Sequence, residues 1–159
     1  MATAGIVSLC EGVVTALNAG TFSESFTAVF AYNPNYSNID AKTLRVLVTD
    51  AGGDLSLISR GAMGVTDNVR VVVLWNMAAG ATGIDTEKMG RALTLLEEII
   101  KFLAVLGVAD YAPTGNMERA TGEKDKSHYM PGNLEDRLFA ASIKVEYQSR
   151  LGIRSEFSS

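Results

Sequence analysis

Apolar positions recur along this chain at two periods, and the switches between them outline its elements. Ile6, Leu9, Cys10, Val13, Val14 and Leu17 follow the three-and-four spacing of one helical face. They predict a short N-terminal helix with Gly12 as its weak point, ended by Asn18 to Gly20. From Phe26 to Tyr32 aromatic residues alternate with smaller ones, the period of a half-buried strand, with Phe26, Phe30 and Tyr32 on one face and a stop at Asn33-Pro34-Asn35. A second strand follows at Leu44 to Val48, with Leu44, Val46 and Val48 on one side. Asp50 to Asp54 then predicts a turn into Leu55 to Ser59, a hairpin. After Arg60 a loop with Gly61 and Gly64 leads to an apolar strand, in which Val69, Val71, Val73 and Trp75 face one way and Val72 and Leu74 the other. A strand apolar on both faces is expected at the centre of a sheet.

One long amphipathic helix is predicted from an N-cap at Asp85 to Leu106, roughly 33 Å at 1.5 Å per residue, with Gly107 and Val108 as a left-handed C-cap and its apolar contact. Met89, Leu93, Leu96, Ile100 and Leu103 form its expected buried stripe, widened by Ala92, Ile99 and Phe102. Glu87 with Arg91 and Glu97 with Lys101 are its expected exposed pairs. Tyr111 to Ala120 reads as a short strand or extended arm, and Thr121 to Asn133 as a mobile polar loop. Leu138 to Gln148 alternates again and closes the sheet ahead of a tail over 149–159. The prediction is a single α+β domain over 1–159, a mostly antiparallel sheet with one long helix packed across it and a short N-terminal helix. Its core spans about 5–111 and 137–148.

A chain of 159 residues buries one substantial core. Its 47% hydrophobic residues and mean hydropathy of +0.15 imply some apolar surface covered by a partner, which points to a subunit of an assembly. The net charge of -4 excludes a sequence-independent hold on nucleic acid, which needs clustered Lys and Arg, and no basic residue precedes Lys42. Cys10 is the only cysteine and sits in an apolar run, so it forms no intrachain disulfide and reads as a buried small hydrophobe. Neither a basic secretory leader nor an apolar run of membrane-spanning length is present, and a soluble, unexported protein is expected.

Candidate chemistry is sparse. The junction from Met77 to Asp85 carries Gly80 and Gly83 between a strand and a helix, where phosphates often sit. Yet Gly83 is followed by Ile84 rather than Lys, and Asp85 places a carboxylate where the phosphate belongs, so an ordinary capped connection is expected. His128, with Asp125 and Ser127 nearby, lacks a second imidazole or a thiol for zinc and lacks a nucleophile motif, so it reads as a solvated loop residue. Adjacent carboxylates at Glu97-Glu98 and Glu135-Asp136 diverge rather than converge. Trp75 and Met77 read as core residues. Arg60, after Ser59 at a strand end, reads equally as surface decoration or as an anchor for a neighbouring subunit's carboxylate.

The order of these features resembles a known family. A helix ending Leu17-Asn18-Ala19, then Phe22, a strand running into Tyr32-Asn33-Pro34, and Tyr36 are followed by Leu44 to Val48, Ser59-Arg60, the apolar strand from Val69 and a helix carrying Leu95-Leu96-Glu97-Glu98-Ile99. Over roughly residues 5–106 this is similar to the minor tail and tail-terminator proteins of tailed bacteriophages, head–tail joining subunits that form a ring, usually a hexamer. The resemblance implies a structural virion protein that caps the tail tube, docks the head-side connector or adaptor protein, and leaves a central channel through which DNA passes without specific binding. It implies no catalysis, no cofactor, no metal and no membrane, with assembly in the host cytoplasm. Ser59 and Arg60, with His128, Tyr129 and Met130 of the polar loop, are the candidate subunit-interface residues. The alternatives are another neck ring component, a tail-tube subunit, or, from a different class, a small-ligand module or hydrolase using the Gly80 to Asp85 loop.

Overall fold

The computed structural model describes residues 5–32, 43–59, 62–79, 83–108, 111–119 and 138–152. The order of elements is α1 (Gly5–Ala19), β1 (Ala28–Phe30), β2 (Arg45–Ser59), β3 (Ala62–Asn76), β4 (Ala78–Ala79), β5 (Gly83–Ile84), α2 (Thr86–Ala104), β6 (Ala112–Arg119) and β7 (Leu138–Gly152). Five strands form one sheet in the order β1-β2-β3-β7-β6, in which only β1 and β2 run parallel; β4 and β5 make a separate two-stranded pair. The fold is α+β, with a mostly antiparallel sheet, as the pattern predicts.

The apolar strand of the sequence, β3, is the central one. Val46, Val73 and Ala141 lie across one row of the ladder, Val48, Val71 and Ile143 across the next, and all are buried in the core with Trp75, Phe139, Val145 and Tyr147. Leu9, Cys10, Val13 and Leu17 of α1 and Ala92, Leu95, Leu96, Ile99 and Leu103 of α2 complete that core. Side chains alternate along a strand, so Leu47, Val72, Leu74 and Ala140 point to the opposite face, and they are buried as well. The middle of the sheet is thus apolar on both faces, the reason β3 reads as a nearly unbroken hydrophobic run.

Local chemistry sets the element ends. Asp85 caps α2 by accepting a hydrogen bond from the Lys88 N–H at 3.0 Å, as expected, with Glu87 in the first turn and Lys101 in the last complementing the helix dipole. The expected Gly107 cap is not formed. The helix ends two residues earlier, with Val105 as C-cap at φ -118°, and Gly107 is not among the glycines with positive φ. Val108 instead exchanges two hydrogen bonds with Tyr111 and packs against Gly12, which tethers the chain leaving the helix.

The predicted turn at Asp50 to Asp54 is a bulge inside one continuous strand. Asp50 accepts from the Gly52 N–H at 2.8 Å, Gly52 adopts φ +93°, and the pairing with β3 shifts between Asp50 and Gly53 and then continues to Ser59. The chain reverses only between Ser59 and Ala62, so Gly64, expected in a loop, is a strand residue paired with Ser56 and Arg150. β7 likewise continues to Gly152, four residues beyond the expected strand end. The first strand is shorter than the pattern suggests, Ala28 to Phe30 only.

Candidate interaction surface

Two hydrogen bonds join the end of α1 to β1. Asn18 donates from Nδ2 to the Ala28 carbonyl at 3.1 Å and accepts the Ala28 N–H at Oδ1, 2.7 Å. One amide side chain thereby occupies both backbone groups that Ala28 turns away from β2, which blunts this edge of the sheet against strand addition. Among the described residues, this edge carries exposed apolar side chains. Val29 is 49% exposed and Tyr32 72%, and the Phe30 and Tyr32 rings pack at a 48° tilt with their centroids 4.7 Å apart.

The connector between α1 and β1 is fastened to α2. Arg91 makes a bidentate pair with Glu24, at 2.6 and 2.8 Å, and the Ser23 N–H donates to Glu98 at 2.8 Å. Phe22 meets Phe102 edge to face at 5.3 Å. Glu97 pairs with Lys101 as expected, but Arg91 does not pair with Glu87: the fork of its guanidinium finds a better-matched carboxylate from another element. Its hydrogen bonds hold the Glu24 carboxyl below the usual carboxylate range. Lys88 and Arg91 both lie over the Trp75 ring, at 4.7 and 5.3 Å, and Trp75 is a core residue, 7% exposed.

Titratable groups in the interior are pushed away from neutral chemistry. Burial, reinforced by the Asp50, Asp67 and Glu11 carboxylates, raises the Cys10 thiol to about 12, leaving it a protonated core group. Burial and the hydrogen bond to Asp67, 2.7 Å, raise the Tyr111 hydroxyl to about 12, and burial alone does the same to Tyr147. Among the described residues, no group of three or more His, Cys, Asp or Glu is placed to hold a metal ion, and no helix is long and apolar enough to cross a membrane.

Of the residues singled out as a subunit interface, Ser59 is the last residue of β2, paired with Ala62 where the long hairpin reverses. Its position on β3 is seven residues beyond Val69, roughly 23 Å along the ladder. Arg60, His128, Tyr129 and Met130 lie outside the described residues, as do Asp125, Ser127, Glu135 and Asp136 and the tip of the Gly80 loop. Glu97 and Glu98 diverge, to Lys101 and Ser23 respectively.

The polar side of the sheet escapes the sequence reading. On the face opposite the helices, Asn68, Asn116, Glu118, Lys144 and Glu146 line an open cleft of about 470 Å³ beside the β6–β7 pair. Thr114 and Asn116 donate to one Glu146 oxygen, and Lys144 pairs with Glu118 at 2.9 Å. The available signal was Arg70, the one charge inside the otherwise apolar run from Val69 to Trp75.

No family model and no curated protein matches the chain.

Proposed function

We propose that the chain is a structural virion protein of the tail-terminator kind, a subunit of a homo-oligomeric ring that caps a tail tube, presents a docking surface to the head-side connector, and surrounds a channel for DNA. The observation that carries the reading is the exposed apolar edge at Val29 and Tyr32. It falls within the stretch whose order of features resembles that family, and it leaves a large aromatic ring in water unless a partner covers it. An edge already blocked by Asn18 suits docking through side chains, and a heterologous contact of this kind closes into a ring when its rotation permits.

The acidic balance fits the same role. A passage with a net negative wall repels the phosphate backbone, so a duplex moves through without being held by displaced counterions. Electron microscopy of the purified protein is the test. Rings with an open centre support the reading; a sample that remains monomeric at high concentration, from a protein not found in virions, defeats it.

A further inference from the structure

The connector between α1 and β1 is a loop closed at its base and fastened at its tip. Asn18 bonds both backbone groups of Ala28, and the Gly20 N–H donates to the Ala16 carbonyl at 3.0 Å, so both ends of the loop are held within α1 and β1. Its middle is held by the other helix: Arg91 of α2 forks onto both Glu24 oxygens, and Glu98 accepts the Ser23 N–H. Phe22 of the loop packs on Phe26 and on Phe102 of α2, with ring centroids 5.3 Å apart in both pairs. All three rings are half-buried. A loop tied at its base can open at its tip while the helix and strand it joins stay in place.

Of the two ties to α2, one depends on charge. Glu24 is the only charged residue over 12–30, so the end of α1, the loop and β1 bring no second charge to it. From α2 it meets Arg91, whose guanidinium also feels Glu87 and Asp85 and shares the Trp75 ring with Lys88; Glu98 stands beside it at the Ser23 N–H. The Glu24 side chain is 14% exposed. A two-point fork is the geometry in which a partly exposed ion pair holds a position. Protonation discharges the carboxyl and turns one of its oxygens from acceptor to donor, which ends the fork, whereas Glu98 in either form keeps an oxygen that accepts from Ser23. The Arg91 hydrogen bonds hold Glu24 below its ordinary value of 4.5, so the tie is complete at neutral pH and is lost as pH falls through that lowered value.

We propose that residues 20–27 form an acid-released strap: protonation of Glu24 frees the loop from α2 and uncovers an aromatic surface made of Phe22, Phe26 and Phe102. The clasp between Asn18 and Ala28 contains no titrating side chain and stays shut, so the opening is local. The strap does not rest on the ring reading above.

Amide hydrogen exchange of the full chain, read by NMR from about pH 7 to about pH 3 and scaled to the rates of an unstructured peptide at each pH, tests the strap. Protection of the Ser23 amide is expected to fall about tenfold in the acid range while the Ala28 amide and the amides of β3 keep theirs. A dye that brightens on apolar surface should respond over the same range. Glu24→Gln removes the charge at every pH, so it should show the low Ser23 protection already at neutral pH and no further step in acid. Glu98→Gln keeps an acceptor for Ser23 and should retain the step. Loss of Ser23 protection only together with β3 overturns the strap, because the chain then opens as one unit. A Glu24→Gln chain with the parent's Ser23 protection at neutral pH overturns it too, since the tie is then not one of charge.

Discussion

Gly12 tests whether α1 is held by propensity or by packing. Seen as a helix residue alone, glycine costs about 1 kcal/mol relative to alanine, and Gly12→Ala should stabilise the chain by that amount. The structure predicts the opposite sign. A Cβ at position 12 would overlap Val108 Cγ1 and stand 3.6 Å from Val108 Cβ. Val108 cannot retreat cheaply, because its N–H and C=O are both bonded to Tyr111, at 3.0 and 2.8 Å, and its branched side chain is stiff at χ1. Overpacking of this kind costs about 1–3 kcal/mol, so after the propensity gain the net change is a loss of up to about 2 kcal/mol. Urea unfolding followed by circular dichroism, at one protein concentration, reads the change. Val108→Ala provides the second arm: it is destabilising alone, but in the double variant the new methyl group occupies the vacated space. The pair should be coupled by about 1 kcal/mol or more. A Gly12→Ala chain about 1 kcal/mol more stable than the parent, with additive behaviour in the double variant, would refute the close approach of α1 to Val108.

Three further outcomes follow from the same structure. Leu96→Asp places an unpaired carboxylate among buried helix and sheet side chains and should lower stability by about 3 kcal/mol or more in urea unfolding; a loss under about 1 kcal/mol would mean the buried face of α2 is misassigned. Asn18→Ala removes both bonds to Ala28, costing about 1–3 kcal/mol, and uncovers an N–H and a C=O at the sheet edge, so the variant should also aggregate faster in light scattering than the parent. Stability should be flat from neutral pH to about pH 9 and then decline toward about pH 12. Cys10, Tyr111 and Tyr147 keep their protons in the folded chain up to about 12, whereas in the unfolded chain they release them near their ordinary values of 9 and 10, so the unfolded state binds fewer protons in that window and is favoured as pH rises. Urea midpoints across that range check this, and a Cys10→Ala chain whose decline still begins at pH 9 would assign the first step to another group.

Periodicity recovered the elements whose pattern is local and strong. α1, the central position of β3, the Asp85 cap and the final strand were all legible, because each depends on residues within a few turns or on a two-residue alternation. The buried stripe of α2 was recovered only in part: Leu95 is buried and was not counted, while Met89, Leu93, Ile100 and Phe102 are half-buried, since which flank of a wide apolar face turns inward depends on the helix's path across β6 and β7. Glycine misled the reading twice. At Asp50-Ala51-Gly52-Gly53 the same residues that favour a hairpin also favour a bulge, and the choice is made by a partner strand that accepts the shifted register. At Gly107 a cap was expected where a buried Val108 and its bridge to Tyr111 set the chain's path instead. Arg91 with Glu24 was invisible for a simpler reason: the pair joins segments 67 residues apart.

On the proposed ring reading, the burial of both sheet faces constrains how copies of this chain meet. In a two-layer protein the uncovered face of the sheet is the natural contact surface, but here Leu47, Val72, Leu74 and Ala140 are already out of water on that side. Strand addition is disfavoured at β1, where Asn18 occupies the outward groups of Ala28, and at β6 the strand is interrupted by Pro113 and by Gly115 at φ +92°, with its register to β7 shifted between Pro113 and Met117. Both edges thus carry features that resist backbone pairing. On the ring reading, assembly is accordingly expected to depend on side-chain contacts at Val29 and Tyr32, so that alanine at position 32 should weaken association while leaving the core, where Tyr32 has no place, intact.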